Sequence, residues 1–98
     1  MIEFIHVPGN NKSHNLKLYA LSTCAFCKRA LAFLRENSID FSYVFVDQLE
    51  KKVVGDLREE LKKKSGRRHI AYPFLIEDDE KILVGFTEKK YKAFFNIE

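Results

Sequence analysis

The apolar positions in the first half of the chain change from a strand-like to a helical period and back. Residues 2–7 and 16–21 are short apolar segments typical of strands, and the turn-rich residues 8–15 connect them. In residues 24–37 apolar side chains recur every three or four positions, which indicates an amphipathic helix. Residues 41–47 carry β-branched and aromatic side chains on both faces, as expected of an internal strand. A helix is therefore predicted between two buried strands.

The second half of the chain shows the same two periods. Residues 49–64 place leucine and valine on one helical stripe, and Gly66 follows as a residue that commonly ends a helix. The polar sequence EDDE joins the apolar segments 72–76 and 81–86, which predicts an antiparallel hairpin. Thr87 is a suitable N-cap for a last helix. The aromatic residues expected in the core are Phe33, Phe41, Phe45, Phe74, Tyr91, Phe94 and Phe95.

From residue 16 onward, the predicted order of elements is β-α-β-α-β-β-α. Because connections between parallel strands are almost always right-handed, the strands at 16–21 and 41–47 are expected to be parallel neighbours. The hairpin then extends the same sheet with antiparallel strands. The sequence predicts an α/β protein in which residues 16–98 form one domain, a mixed four-stranded sheet flanked by three helices. Residues 1–15 are a short N-terminal extension whose apolar segment is suited to adding a strand.

Composition narrows the class of protein without deciding its function. The chain has 98 residues, of which 46% are hydrophobic, and this fits a single domain. Its apolar runs are far shorter than the roughly 20 residues of a membrane-spanning helix, and its start lacks the pattern of a secretory leader. The 17 basic residues are interleaved with 14 acidic ones, for a net charge of +3. We therefore expect a soluble, cytoplasmic monomer that binds neither membranes nor nucleic acids.

The chemically distinctive feature of the sequence is its pair of cysteines, Cys24 and Cys27, where a predicted strand gives way to a helix. A disulfide across this spacing constrains little of the unfolded chain, so the pair indicates chemistry more than cross-linking. Spacing alone leaves three interpretations open: a redox-active dithiol, half of a tetrahedral zinc site, or two small buried hydrophobic residues. Ser22 and Thr23 are expected to cap the helix, which places Cys24 in its first turn.

The predicted position of Cys24 favours its thiolate. At a helix N-terminus the backbone N–H groups are unpaired and the helix dipole is positive. Because the thiolate is the attacking species in disulfide exchange, we predict Cys24 as the nucleophile. Cys27, one turn further on the same side of the helix, is predicted to be the more buried, resolving thiol. Lys28 and Arg29 are candidates for adding positive potential near the pair.

Asp47 is a candidate partner of the cysteines. It ends the predicted strand 41–47 at the sheet edge where Ser22 and Thr23 follow the neighbouring parallel strand. Its carboxylate is therefore expected near the pair, where it could accept a proton from Cys27. An aspartate at a strand end is also a common turn or cap residue, so both roles are open.

Three features together resemble the glutaredoxin branch of the thioredoxin-like superfamily: Cys24-Ala25-Phe26-Cys27 after a strand, Tyr72-Pro73 opening a later strand, and Gly85 before the final helix. The resemblance covers about residues 16–96 and implies a thioredoxin-like fold and a dithiol–disulfide oxidoreductase. It also implies that Pro73 is a cis proline facing the cysteines and that Tyr72, Pro73 and Gly85 contact a sulfur-bearing substrate. Phe26 is expected to be partly exposed and to offer an apolar contact to a substrate protein.

The sequence departs from the family pattern at positions that concern the electron donor. Glutaredoxins commonly have a basic residue three positions before the first cysteine, where this chain has Leu21, and Gly-Gly followed closely by Asp, where it has Val84-Gly85-Phe86-Thr87. It is in this respect similar to glutaredoxin-like redoxins served by a thioredoxin-reductase-type enzyme. We expect a disulfide-containing protein substrate, that reductase or glutathione as donor, and no tightly bound cofactor besides the redox-active disulfide. Candidate anchors for the carboxylates of glutathione are Lys17, Arg67 and Arg68.

Other functions fit the same motif. A zinc site would need more ligands, but the chain has no second cysteine pair, and His6, His14 and His69 show no ligand spacing. We therefore predict no metal site. Some glutaredoxins hold an iron–sulfur cluster between two chains with glutathione, and that alternative stays open. A non-catalytic adaptor whose thiols sense oxidation is a further alternative.

Overall fold

The computed structural model describes residues 2–12 and 15–97; His14 and the predicted domain ends at residues 1 and 98 lie outside the described residues. From β2 onward, the described elements follow one another as strand, helix, strand, helix, strand, strand and helix. The elements are β1 (Ile5–Val7), β2 (Leu16–Ala20), α1 (Ala25–Glu36), β3 (Phe41–Phe45), a 3₁₀ turn (Val46–Gln48), α2 (Lys51–Ser65), β4 (Phe74–Glu77), β5 (Lys81–Val84) and α3 (Glu88–Phe94).

The strands form one mixed sheet in the order β1-β3-β2-β4-β5. β2 and β3 are parallel, with Leu18 opposite Tyr43, and β4 and β5 continue the sheet as antiparallel strands. Within the described residues the sheet has five strands rather than the predicted four, because β1 of the N-terminal extension pairs antiparallel with β3. The protein is thus an α/β protein whose sheet is extended at one edge by its own N-terminal segment.

The N-terminal extension also contacts the fold through side chains. The ring of Phe4 packs edge-on against Tyr19, with 5.7 Å between the ring centroids. The carboxylate of Asp40 accepts hydrogen bonds from Nε2 of His6 (2.8 Å) and from the backbone N–H of Gly9 (3.1 Å). The extension therefore contributes both to the sheet and to the packing on one of its faces.

Two hydrophobic clusters cover the two faces of the sheet. One joins the sheet to α1 and α3 and includes Leu18, Leu34 and Tyr91. The other joins the opposite face to α2 and includes Tyr19 and Leu57. Leu18 and Tyr19 are consecutive in β2 and belong to opposite clusters, as the two-residue period of a strand requires. Of the predicted core aromatic residues, Phe33, Phe41, Phe74 and Tyr91 are buried, and Phe45, Phe94 and Phe95 are half-buried.

Both helix-end signals predicted in the second half of the chain are confirmed. Gly66 ends α2 with a φ of 69°, a left-handed conformation that glycine adopts without a Cβ clash. Oγ1 of Thr87 accepts a hydrogen bond from the backbone N–H of Lys90 (3.2 Å) at the start of α3. This cap fixes the start of α3 directly after the loop that follows β5.

Two element boundaries differ from the prediction in ways that change the site. β3 ends at Phe45, so Asp47 lies in the following 3₁₀ turn and not at the end of the strand. α1 begins at Ala25, so Cys24 is the N-cap residue and not part of the first turn. Both residues therefore lie in loops at the same edge of the sheet.

Candidate active site

Cys24 joins the loop after β2 to α1. Its backbone is extended (φ −90°, ψ 119°), and its Sγ accepts a hydrogen bond from the backbone N–H of Cys27 (3.2 Å). The sulfur thus occupies the capping position predicted for Ser22 or Thr23. That prediction is wrong because the Ser22 hydroxyl donates to the carboxylate of Asp47 instead. As a result, the Cys24 sulfur lies directly at the positive end of α1, where negative charge is favoured.

Cys27 is fully buried (0% exposed), whereas Cys24 is partly exposed. Sγ of Cys27 accepts a hydrogen bond from the backbone N–H of Leu21, with 3.5 Å between N and Sγ. Burial, followed by hydrogen bonding to the Cys24 side chain, raises the pKa of Cys27 from 9.0 to about 12. Both cysteines are free thiols, so this is the arrangement of the reduced pair. The outer sulfur is accessible, and the inner one is protonated at neutral pH.

The Asp47 carboxylate lies beside the loop that leads to Cys24. Its oxygens accept hydrogen bonds from the hydroxyl and from the backbone N–H (2.9 Å) of Ser22. These bonds lower the pKa of Asp47, with the hydroxyl making the largest contribution. The Asp47 charge is a minor contributor to the raised pKa of Cys27. The contacts that fix Asp47 therefore weaken it as a base, and its role as a proton acceptor stays a prediction.

The segments before β4 and after β5 meet at a groove that Phe26 also lines. The Tyr72–Pro73 peptide bond is cis. Pro73 is buried, and its carbonyl accepts a hydrogen bond from the backbone N–H of Gly85 (2.8 Å). Gly85 has a φ of 81°, a left-handed conformation in which other residues are strained. This hydrogen bond holds Tyr72 and Gly85 at the same end of the hairpin.

Tyr72 and Gly85 line a groove of about 350 Å³, which we call the aromatic groove. Phe26, between the two cysteines in sequence, forms part of its wall and is 54% exposed. The groove therefore brings together three residues that the sequence analysis proposed as substrate contacts. The remaining lining residues are Val84, Phe86, Thr87 and Lys90.

Of the two predicted modulators in α1, Arg29 contacts the groove. Its guanidinium lies over the ring of Phe26, with 5.5 Å between Cζ and the ring centroid, which is within the range of a cation–π interaction. Lys28 is exposed at the preceding position. Arg29 therefore stacks on Phe26, one of the residues that line the groove.

The relation of Tyr91 to the dithiol was missed by sequence reasoning. Tyr91 is 0% exposed, and its ring centroid lies 4.7 Å from that of Phe86 and 5.6 Å from that of Phe33. Its hydroxyl is buried and has no hydrogen-bond partner within the described part of the chain. Burial, and secondarily the charge of Cys27, raises the pKa of Tyr91. The helical period indicated that Tyr91 faces inward, but its proximity to Cys27 depends on how α3 packs.

A second groove, of about 360 Å³, lies on the α2 side of the loop that precedes Cys24 and is called the α2 groove below. Its basic residues, Lys51 and Arg58, were not singled out from the sequence. The predicted carboxylate anchors Lys17, Arg67 and Arg68 line neither groove in the described structure. The residues that line the α2 groove are Leu21, Val46, Asp47, Leu49, Lys51, Val54, Gly55 and Arg58.

Neither of the described histidines, His6 and His69, lines the aromatic groove or the α2 groove. His6 binds Asp40, and His69 is exposed before β4. Within residues 2–12 and 15–97, no group of three or more His, Cys, Asp or Glu side chains could hold a metal ion. In the same residues, none of the helices has the length and apolar character to cross a membrane.

Comparison with known proteins agrees with this geometry. The family model described as Glutaredoxin matches residues 16–70. A glutaredoxin from Methanosarcina mazei Go1 is 33% identical, with a TM-score of 0.80 over 98% of this chain and 90% of that one. Methanoredoxin from Methanosarcina acetivorans is 33% identical, with a TM-score of 0.74 over 87% and 86% of the two chains. A glutaredoxin from Archaeoglobus fulgidus is 31% identical, with a TM-score of 0.72 over 86% and 88%.

None of the curated proteins matches the sequence. The family model nevertheless covers more than half of the chain, including Cys24 and Cys27, and the glutaredoxin from Methanosarcina mazei Go1 aligns with 98% of the chain. The chain therefore has a thioredoxin-like fold and belongs to the glutaredoxin family.

Proposed function

We propose that the protein is a thiol–disulfide oxidoreductase that reduces disulfides of other proteins by a dithiol mechanism. Membership of the glutaredoxin family supports a redox function of the two thiols. The observation that carries the mechanism is the difference in burial between the two thiols: Cys24 is partly exposed, and Cys27 is buried. The backbone N–H of Cys27 also donates a hydrogen bond to the Cys24 sulfur (3.2 Å). A protein substrate can reach Cys24, and Cys27 can then reach the bond that Cys24 has formed.

The proposed cycle has two exchange steps. In the first, the Cys24 thiolate attacks one sulfur of the substrate disulfide, a Cys24–substrate bond forms, and the other substrate sulfur leaves as a thiolate. In the second, Cys27 loses its proton and attacks Sγ of Cys24, which releases the remaining substrate sulfur as a thiolate. The substrate gains two electrons, and the protein is left with a Cys24–Cys27 disulfide.

The raised pKa of Cys27 supports this order of steps. In the reduced pair, the hydrogen bond to Cys24 and the charge of Cys24 both add to the effect of burial on Cys27. Once Cys24 is bonded to a substrate sulfur, it carries no charge, so its contribution is lost. Cys27 therefore becomes easier to deprotonate after the first step, and premature ionisation of the buried thiol is avoided.

The aromatic groove is the proposed binding site for the substrate chain. Tyr72 offers backbone groups beside the dithiol, while Pro73 and Gly85 shape the groove through their hydrogen bond (2.8 Å). The exposed ring of Phe26 supplies an apolar contact. Lys28 and Arg29, on the first turns of α1, are the proposed sources of positive potential near the pair.

A donor of two electrons completes the cycle by reducing the Cys24–Cys27 disulfide, and we propose a thioredoxin-reductase-type enzyme or glutathione for this role. Leu21 provides no charge where glutaredoxins commonly have a basic residue, which favours the reductase. Lys51 and Arg58 line the α2 groove beside Leu21 and are the cations available there to a glutathione carboxylate. A cycle that starts from free thiols fits the reducing cytoplasm.

The test is turnover of insulin disulfides by the purified protein, with a thioredoxin-reductase system and with glutathione as alternative donors. The protein should be catalytic with at least one donor, and Cys24→Ser should reduce the rate to that of the donor alone. An adaptor that only senses oxidation would form the Cys24–Cys27 disulfide but turn over no insulin with either donor. That result would overturn the proposed function.

A further inference from the structure

The aromatic groove combines an apolar wall with a cationic rim. Phe26, Val84 and Phe86 supply apolar surface, and the exposed ring of Phe26 is available for burial by a bound chain. Lys90 lines the groove on the α3 side. Arg29 is not a lining residue, but its guanidinium lies over the ring of Phe26, with 5.5 Å between Cζ and the ring centroid. A chain that enters the groove therefore meets apolar surface and the positive charge of Lys90.

These positive charges are not neutralised within the described part of the chain. Within the described residues, neither Lys90 nor Arg29 forms an ion pair, and the acid of α3, Glu88, pairs with Lys92 at 3.4 Å. The Asp47 carboxylate, on the other side of the dithiol loop, is bound by Ser22. The rim of the groove is therefore complementary to a carboxylate from another molecule.

Resting on the proposed function, we infer that the aromatic groove selects protein disulfides in which the reacting cysteine is flanked by an apolar side chain and then by a carboxylate. The apolar side chain packs against Phe26 and Phe86. The carboxylate pairs with Nζ of Lys90. The partner is thus an acidic, extended polypeptide segment, and its selection occurs before the first exchange step.

The expected size of the effect follows from the exposure of the rim. An exposed ion pair changes an association constant by roughly two- to fivefold, and the effect weakens as salt screens it. Burial of one apolar side chain against an aromatic wall adds a larger factor, on the order of tenfold. The apolar side chain should therefore have the larger effect on the rate of disulfide reduction. Among substrates of equal hydrophobicity, those with the carboxylate should be reduced faster.

The experiment measures single-turnover reduction of four synthetic peptide disulfides by the fully reduced protein, so that no other reductant is needed. The peptides are homodimers of Glu-Leu-Cys-Leu-Glu, Gln-Leu-Cys-Leu-Gln, Lys-Leu-Cys-Leu-Lys and Glu-Ser-Cys-Ser-Glu, with blocked ends. Each rate constant is divided by that of the same peptide with mercaptoethanol, which removes intrinsic differences in disulfide reactivity. We expect the first peptide to exceed the second by about fivefold and the fourth by about tenfold.

Two charge-reversal variants, one a test and one a control, show whether Lys90 is responsible for the preference for glutamate. Lys90→Glu should abolish the preference for glutamate over glutamine and favour the lysine peptide. Lys63→Glu makes the same change of net charge at an exposed position of α2 outside both grooves, and it should leave the preference intact. Equal rates for all four peptides, or the same loss in both variants, would overturn the inference while leaving the oxidoreductase itself supported. Failure to reduce any peptide would overturn the proposed function together with the inference.

Discussion

Cys24 and Cys27 are only three positions apart in sequence, but their surroundings differ greatly. On the outer side, Cys24 is partly exposed, its sulfur caps α1, and Phe26 two residues later lines the aromatic groove. On the inner side, Cys27 is fully buried and its pKa is raised to about 12, with the buried Tyr91 nearby. One helical turn separates the two environments. This difference is the basis on which we propose attack by Cys24 and resolution by Cys27.

The largest expected effect of this difference is on the rates at which the two cysteines are alkylated. In the reduced native protein near pH 7, iodoacetamide should modify Cys24 at least ~100-fold faster than Cys27, because Cys27 is buried and protonated. Mass spectrometry of peptides after timed quenching measures both rates. In denaturant the two rates should be similar, which is the internal control. Comparable rates in the native protein would remove the distinction between the two sides.

The inner side can be tested by itself through the pH dependence of stability. Because folding raises the pKa of Cys27 from 9.0 to about 12, the folded protein retains a proton that the unfolded chain loses. The stabilisation is complete below pH 9 and is lost as the pH rises from 9 towards 12. Urea unfolding should therefore show a steeper loss of stability above pH 9 in the reduced protein than in Cys27→Ala. Parallel losses in the two proteins would contradict the raised pKa.

Tyr91 provides a smaller test of the inner side. Its buried hydroxyl has no partner within the described residues, so Tyr91→Phe should increase the free energy of unfolding by about 1 kcal/mol. Tyr43→Phe is a matched control in β3, where the hydroxyl is not left unpaired in this way, and it should give no gain. Denaturant unfolding measures both variants. A loss of stability in Tyr91→Phe would show that the hydroxyl has a partner in solution.

Substitution of Asp47 should give the smallest effect of this series. It distinguishes two roles of the carboxylate, as a charge that disfavours the Cys27 thiolate and as the acceptor of the Cys27 proton. If its charge only disfavours the Cys27 thiolate, Asp47→Asn should accelerate resolution of a Cys24 mixed disulfide, by about twofold. Ser22→Ala removes the hydroxyl contact and keeps the charge, so it should not accelerate this step. Stopped-flow measurement of substrate release compares the variants. Slower resolution in Asp47→Asn would instead favour Asp47 as the proton acceptor for Cys27.

Local patterns predicted most of the fold. The strand predicted at 16–21 is β2, and its two-residue period puts Leu18 and Tyr19 on opposite faces of the sheet through local backbone geometry alone. The stop at Gly66 and the cap at Thr87 were predictable for the same reason, because each is set by its own backbone conformation or adjacent N–H group. The sequence indicated that the N-terminal extension is suited to adding a strand, but its partner β3 was not predicted, because the pairing joins segments about 36 residues apart.

The site was predictable in its chemistry but not in its contacts. Cys24 and Cys27 were identified by spacing, yet Ser22 failed as the cap because its partner, Asp47, lies 25 residues away in sequence. Lys90 on the groove wall and the buried hydroxyl of Tyr91 depend on how α3 packs against α1 and β5. Such contacts between distant segments leave no periodic or local signal.

The most direct test of the assigned roles is to trap the first intermediate. Fully reduced Cys27→Ser is mixed with a disulfide-bonded protein substrate, and the products are analysed by intact mass and peptide mapping under non-reducing conditions. The account predicts a mixed disulfide at Cys24 that accumulates towards one equivalent, and none in Cys24→Ser over the same time. A mixed disulfide at Cys27 that forms equally fast in Cys24→Ser would contradict the division of the dithiol into an attacking and a resolving thiol.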